Sequence, residues 1–204
     1  MVAGDPKLAR LLEHPAIWRG RSTAAHPRGL PTGFAALDEQ LPGKGWPRSG
    51  LIEILVSRFG SGELSLLLPA LAALTRAAVA RWCVWVVPPL MPFAPALVSR
   101  GVVLERVAVV NGAHPLWAFE QILASGACDA ALAWARRLKP RDIRRLQLAA
   151  ERGRTLGVLF RPRRAAQEAS TAVLRLGLEP RGAGVRITLL KGRSARRSAV
   201  DLSW

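Results

Sequence analysis

Cysteine, tyrosine and long unbroken apolar runs are scarce or absent in this sequence. The 2 cysteines, Cys83 and Cys128, lie in apolar runs without the spacing of metal ligands, and there is no tyrosine. This pattern excludes a disulfide scaffold or a zinc site and favours buried reduced thiols in an intracellular, cytoplasmic protein. The longest uncharged stretch, residues 82–99, contains four prolines that would break a spanning helix. We expect no secretory signal, membrane partner, metal or other cofactor.

Acidic residues are also scarce. The chain has 30 Lys plus Arg against 14 Asp plus Glu, a formal net charge of +16. Residues 136–164 hold eleven basic and two acidic residues, and residues 191–197 add four basic residues and no acidic one. Such clusters favour polyanionic partners, with nucleic acid first among them. The alternative is a basic face that contacts only solvent. The excess of arginine over lysine does not distinguish the two, because a coding bias would also produce it.

Short apolar runs alternate with amphipathic segments and predict the fold class. We expect strands at residues 51–56, 82–87, 106–110, 130–134 and 155–160, and helices at residues 63–80, 94–100, 115–125 and 140–152. This alternation implies an α/β fold with a mostly parallel sheet and helices on both faces. Runs at residues 173–179 and 184–190, joined by a short turn, predict an antiparallel C-terminal extension.

The segment S-R-F-G-S-G-E-L, residues 57–64, lies between the first predicted strand and its helix, where phosphate loops occur. The pattern G-x-x-x-x-G-K-[ST] supplies backbone N–H groups, a lysine for the outer phosphates and a hydroxyl for magnesium. Here Ser57 replaces the first glycine and Gly62 keeps the second, while Glu63 and Leu64 replace the lysine and the hydroxyl residue. A carboxylate at that position repels a triphosphate. We expect Glu63 to offset the dipole in the first turn of the helix instead.

Two basic stretches follow predicted strands. In the predicted helix at residues 140–152 the arginines share one face, which could contact a phosphate backbone or an acidic protein surface. The alternative is a solvated outer face of the domain. The stretch R-P-R-R follows the strand at residues 155–160, at the edge where open α/β sheets bind ligands. We expect contacts with DNA or a protein partner through these stretches and the C-terminal tail, at Arg141, Arg144, Arg145, Arg152, Arg161, Arg163, Arg164, Lys191, Arg193, Arg196, Arg197 and Trp204.

Other side chains give no catalytic pattern. The three histidines each precede a proline, and no serine or cysteine lies in a nucleophile context, so we expect no enzyme. We expect Trp82, Trp85 and Trp134 in the core, and Trp117 packing a helix on the sheet. For Trp204 we expect an exposed anchor that docks on a partner. The alternative is a frayed end that has no role.

Several sequence phrases follow one another in a fixed order along residues 30–193. P-T-G-F-A-A-L-D-E-Q-L precedes G-W-P-R-S-G-L-I-E-I-L, and W-C-V-W-V-V-P-P and L-G-V-L-F-R-P follow. This order resembles the ATP-binding core of RecA-type recombinases. The resemblance implies an N-terminal arm with a short helix at residues 1–29, a RecA-like degenerate ATPase core at residues 30–191 and a basic tail at residues 192–204. It places Pro89 and Trp134 where the recombinases carry a catalytic glutamate and a magnesium-associated aspartate.

The phrases P-P-x-x-P-F-A-P-A-L and R-R-L-Q-L-A-A-E are similar to the ImuA family, RecA-related accessory proteins of bacterial translesion mutagenesis cassettes. This resemblance implies a non-catalytic adaptor in SOS-induced error-prone DNA synthesis, with RecA and an ImuB-type protein as partners. An error-prone polymerase would be engaged indirectly. Direct nucleic-acid contact and assembly into a homo-oligomer stay open.

Two alternatives accompany that interpretation. One is an SOS cell-division inhibitor of the SulA type, which binds the division GTPase and predicts filamentation on overproduction without a role in induced mutagenesis. The other is an active nucleotide-dependent recombinase paralogue, which would need ATP binding despite Glu63.

Overall fold

The computed structural model describes residues 28–192 and 198–203, and a single eight-stranded sheet organises them. The strands are β1 Gly50–Val56, β2 Trp82–Val86, β3 Val107–Val110, β4 Cys128–Trp134, β5 Leu156–Pro162, β6 Leu174–Arg181, β7 Gly184–Lys191 and β8 Ala199–Ser203. The α-helices are α1 Ala35–Gln40, α2 Leu68–Thr75, α3 Ala94–Ser99, α4 Pro115–Ala124 and α5 Pro140–Gly153, and short 3-10 helices cover Leu104–Arg106 and Arg163–Gln167.

The strand order is β3-β2-β4-β5-β1-β6-β7-β8. Neighbours from β3 through β6 pair in parallel, whereas β6, β7 and β8 pair antiparallel. The structure thus confirms the predicted α/β fold with a mostly parallel sheet and an antiparallel C-terminal extension. Because parallel strands end at the same edge, the loops after β1, β2, β4 and β5 meet there and form the candidate site.

Strand β1 lies at the centre of the fold and is buried at every position. Ile52 and Ile54 face one apolar cluster, which includes the buried side of α2. Leu51 faces the other cluster, which α4 and α5 cover. The continuous apolar run of β1 therefore matches a parallel strand with helices on both faces.

Helix α5 has the predicted two-faced pattern. Ile143, Leu146 and Ala150 are buried, whereas the arginines on the opposite face are exposed. The backbone N–H of Lys139 donates to the Asp142 carboxylate over 3.0 Å and so caps the first turn. Burial of its apolar face and the hydrogen bond at its N-terminus together account for the position of this helix.

The sequence-based boundaries are wrong at the start of α2. We expected a helix from Glu63, but residues 63–67 form turns and α2 begins at Leu68. Residues 199–203, assigned to the basic tail, form β8 along β7. The N-terminal arm up to residue 27 lies outside the described residues, so the division into arm, core and tail stays a prediction. Within the described residues, no helix is long and apolar enough to span a membrane.

Both cysteine thiols are buried in the sheet. Burial, with a smaller contribution from Asp129, raises the pKa of Cys83 to about 12, and burial also raises the pKa of Cys128. The thiolate is the reactive species, and the raised pKa values keep both thiols protonated. We therefore expect neither cysteine to react with a thiol reagent in the native protein at about pH 8. Both should react at once in denaturant. A colorimetric thiol assay checks this, and fast reaction of the native protein would contradict it.

Candidate functional site

The candidate site lies at the carboxyl edge of the parallel strands. A cavity of about 170 Å³ opens there and is lined by Gly60, Gly62, Glu63, Leu64, Pro89, Leu90 and Trp134. The structure therefore brings the altered phosphate-loop residues together with the two positions taken from the RecA resemblance. Ser57 lies apart from them, on the wall of a neighbouring cavity.

Glu63 closes the loop with its own carboxylate. The backbone N–H of Gly60 donates to its Oε1 over 2.7 Å, and the backbone N–H of Ser61 donates to its Oε2 over 2.8 Å. The residue is buried, and Gly60 and Gly62 adopt positive φ angles of 80° and 96°. Backbone N–H groups arranged in this way form an anion site. The expected role of Glu63 in a helix first turn is wrong, because the carboxylate binds the loop that precedes α2.

Replacing Glu63 with alanine tests this arrangement. The change leaves two loop N–H groups without an acceptor, so we expect the free energy of unfolding to fall by about 1–3 kcal/mol. Dilute inorganic phosphate should restore part of that loss, because the vacated N–H groups then bind an external anion. Denaturant titration with and without phosphate measures both effects. Wild-type protein in the same buffers controls for the general stabilisation by phosphate, and equal stability of the two proteins would contradict the role of Glu63.

The remaining lining residues supply no charged chemistry. Trp134 stacks on Phe160 with ring centroids 4.9 Å apart, and its indole Nε1 has no hydrogen-bond partner among the described residues. Pro89 is exposed at the mouth of the cavity. Among the lining residues that the structure describes, Glu63 is the one carboxylate, and both its oxygens already accept hydrogen bonds. The described cavity thus lacks a free general base or a free carboxylate ligand for magnesium.

Arg161 is fully buried, so its predicted contact with DNA or a partner at the surface is wrong. Its Nη1 donates to Glu53 Oε1 over 2.9 Å, and its Nη2 donates to Glu168 Oε2 over 2.6 Å. Arg175 Nε lies 2.6 Å from the other oxygen of Glu53. The network follows from the register, because β6 places Arg175 opposite Glu53, while β5 places Arg161 opposite Leu55, two residues further along the same face of β1. The signal in the sequence was Glu53 itself, a charge within an apolar strand that requires partners.

The other predicted basic residues fall into separate groups. Arg141, Arg144 and Arg152 are exposed on α5, as is Arg145, which pairs with Glu120. Arg163 and Arg164 follow β5 at the carboxyl edge, and Arg163 pairs with Glu179. Lys191 is half-buried and donates from Nζ to the Ser170 carbonyl over 2.8 Å; burial, followed by the nearby Arg175 charge, lowers its pKa. Arg193, Arg196, Arg197 and Trp204 lie outside the described residues.

An exposed apolar ridge lies beside the cavity, and no sequence pattern had predicted it. We define the apolar ridge as Leu90, Met91 and Phe93, which are 67%, 75% and 70% exposed. The ridge lies between β2 and α3 within P-P-L-M-P-F-A-P, where prolines prevent a helix that could bury these side chains. A Cβ added at Gly60 would lie 3.1 Å from Leu90, so the ridge borders the Glu63 loop. The run of prolines was the available signal.

Two tryptophan predictions are wrong. Trp82 is 43% exposed, although we expected it in the core, and Trp117 is 63% exposed, although we expected it to pack its helix on the sheet. On α4, Phe119 and Leu123 supply the buried face instead, and the helical period leaves Trp117 on the other side. These two residues lie outside the candidate site.

Comparison with known proteins gives relatives of one kind, and no family model matches the chain. Cell division inhibitor SulA of Photorhabdus laumondii subsp. laumondii is 34% identical over 102 residues, which cover 48% of this chain and 58% of that protein. Cell division inhibitor SulA of Edwardsiella piscicida is 32% identical over 119 residues, which cover 57% of this chain and 70% of that protein. The crystal structure of SulA from Pseudomonas aeruginosa is 23% identical and covers 54% of this chain and 97% of that one, with a TM-score of 0.46.

The fold and site define an α/β protein in which Glu63 closes the loop after β1 and the neighbouring loop exposes an apolar ridge. The relatives are more specific, and the chain belongs to the SulA family of cell division inhibitors. Assignment to the ImuA family is therefore wrong, as are RecA and an ImuB-type protein as partners, because both relatives are named cell division inhibitors. The same relatives favour the SulA-type alternative over the translesion adaptor.

Proposed function

We propose that this chain is a non-catalytic inhibitor of cell division in the SOS response, and that it acts by binding the division GTPase FtsZ. Membership in the SulA family supports the class of function. The exposed apolar ridge is the observation that carries the proposal, because a protein that inhibits by binding needs a docking surface. Since the matched segment spans 58% of the Photorhabdus protein, the activity and the partner are inferred for this chain.

The ridge has the composition of an interface core. Leucine, methionine and phenylalanine side chains at 67–75% exposure present apolar area that water covers in the free protein. Burying such a side chain against a partner contributes about 1.5–3 kcal/mol before the costs of association. Clustered aromatic and aliphatic anchors of this kind carry most of the binding energy in protein interfaces.

The mechanism we propose is binding without a nucleotide cycle. The core is a degenerate RecA-like ATPase in this view, and the convergence of Glu63, Leu64, Pro89 and Trp134 on one cavity supports it. Glu63 fixes the loop beside the ridge, so the docking surface is held in place without ATP. We assign residues 1–29 to an arm that is not part of this core, whereas residues 199–203 of the tail extend its sheet as β8. The exposed arginines of α5 make secondary contacts with the partner in this proposal. The cytoplasm, where the division GTPase acts, is the proposed location.

Overproduction in bacterial cells tests the function. We expect the cells to grow into filaments because division stops while growth continues, and we expect induced mutation frequency to stay unchanged. Microscopy and a mutation assay measure the two outcomes, with the protein level checked by immunoblot. Cells of normal length at a high protein level would contradict the proposal.

A further inference from the structure

A second cavity on the same edge is lined by arginines. We define the arginine cavity by Arg58, Arg136 and Arg164, which line a space of about 150 Å³ together with Val56, Ser57, Phe59 and Pro162. These residues come from the carboxyl ends of β1 and β5 and the loops after β1, β4 and β5. Arg136 is held over the Phe59 ring, with its Cζ 5.4 Å from the ring centroid, a cation–π contact that restricts the guanidinium.

The arginine cavity has no acidic lining residue, and its three arginines form no ion pair with the described residues. Other arginines of the fold are paired, among them Arg145 with Glu120 and Arg163 with Glu179. Three like charges around one cavity repel each other, and a bound anion relieves that repulsion. The planar guanidinium groups suit an oxyanion that accepts two hydrogen bonds at once.

The arginine cavity and the apolar ridge belong to one continuous surface. Phe59 lines the cavity, and its neighbour Gly60 borders Leu90 of the ridge. The Glu63 hydrogen bonds fix the loop that joins the two features. An apolar centre with arginines beside it is the usual anatomy of a protein interface.

We propose that the arginine cavity receives an acidic side chain of the protein that docks on the apolar ridge. The proposal rests on the proposed function and makes this partner the division GTPase. The cavity volume is below the range of about 300–1,000 Å³ for whole small-molecule ligands, so it fits one carboxylate group on a larger partner. The net charge of +16 supplies the long-range attraction for an acidic surface.

The test uses matched triple variants of the full chain. One carries Arg58→Gln, Arg136→Gln and Arg164→Gln. The control carries Arg76→Gln, Arg100→Gln and Arg106→Gln, exposed arginines that follow α2, follow α3 and precede β3, so it removes the same charge from another surface. Binding rates and Kd for purified FtsZ are measured at low and at physiological ionic strength. We expect the cavity variant to bind about tenfold or more weakly with a shallower salt dependence, and the control to stay within about twofold of wild type.

The outcomes separate the two proposals. Equal binding by the cavity variant and the control would overturn the acidic contact, while the proposed function would stand because wild type binds. Absence of binding by the wild-type chain would overturn both. All six arginines are exposed, so thermal unfolding of both variants should match wild type, and this establishes that any lost binding is not a loss of fold.

Discussion

Replacing Glu53 with methionine is expected to lower the free energy of unfolding by about 3–5 kcal/mol. Glu53 is fully buried, accepts a hydrogen bond from Arg161 and forms an ion pair with Arg175. Without its charge, two guanidinium groups would face each other in the core, and Arg161 would keep only the ion pair with Glu168 among the residues that the structure describes. Denaturant titration followed by circular dichroism measures the change.

The matched control for this prediction is Glu120→Met, which removes a carboxylate from an exposed pair with Arg145. Exposed ion pairs contribute about 0–1 kcal/mol, so the control should differ little from wild type. Replacing Glu53, Arg161 and Arg175 together with apolar residues should recover most of the stability, because no buried charge then lacks a partner. Equal effects of Glu53→Met and Glu120→Met would contradict the role assigned to the buried network.

The double variant Met91→Ala with Phe93→Ala is expected to abolish filamentation. If docking buries both side chains, their loss weakens binding by about a hundredfold or more, since each contributes about 1.5–3 kcal/mol. Folding should be unaffected, because both side chains are exposed in the free protein. Cell length at a matched protein level measures the effect.

Val79→Ala is the matched control, because Val79 is 87% exposed and precedes β2, whereas the ridge follows it. The control removes exposed apolar surface from the opposite end of the same strand, so cells that produce it should still form filaments. Filaments with the ridge variant would mean that the apolar ridge is not the docking surface.

Local pattern was sufficient to predict most of the sheet. The run L-I-E-I-L-V predicted β1, and the absence of a helix between β6 and β7 predicted their antiparallel pairing. The Glu53 network was not predictable in the same way, because its arginines are far along the chain and reach Glu53 only through the strand order. The strand order depends on tertiary contacts that a linear pattern does not contain.

The candidate site was predictable only in part. Spacing drew attention to Glu63 at the position of a phosphate-loop lysine, and the loss of ATP chemistry there stays a prediction. The hydrogen bonds that its carboxylate accepts depend on the loop conformation at Gly60 and Gly62, which spacing does not contain. Apolar composition suggested burial for Trp117 and gave no warning that Met91 and Phe93 would be exposed. The ordered phrases resemble the ImuA family, but similarity of a core does not specify the partner, because function depends on surface residues.

Co-sedimentation of FtsZ polymers with the purified chain tests the central claim most directly. FtsZ is assembled with GTP and titrated with wild-type protein or with the Met91→Ala, Phe93→Ala variant, without ATP. We predict that pelleted polymer decreases in proportion to added wild-type protein, and that the variant leaves it unchanged. An unchanged polymer mass at a molar excess of folded wild-type protein would contradict the proposal that this chain inhibits division by binding the division GTPase.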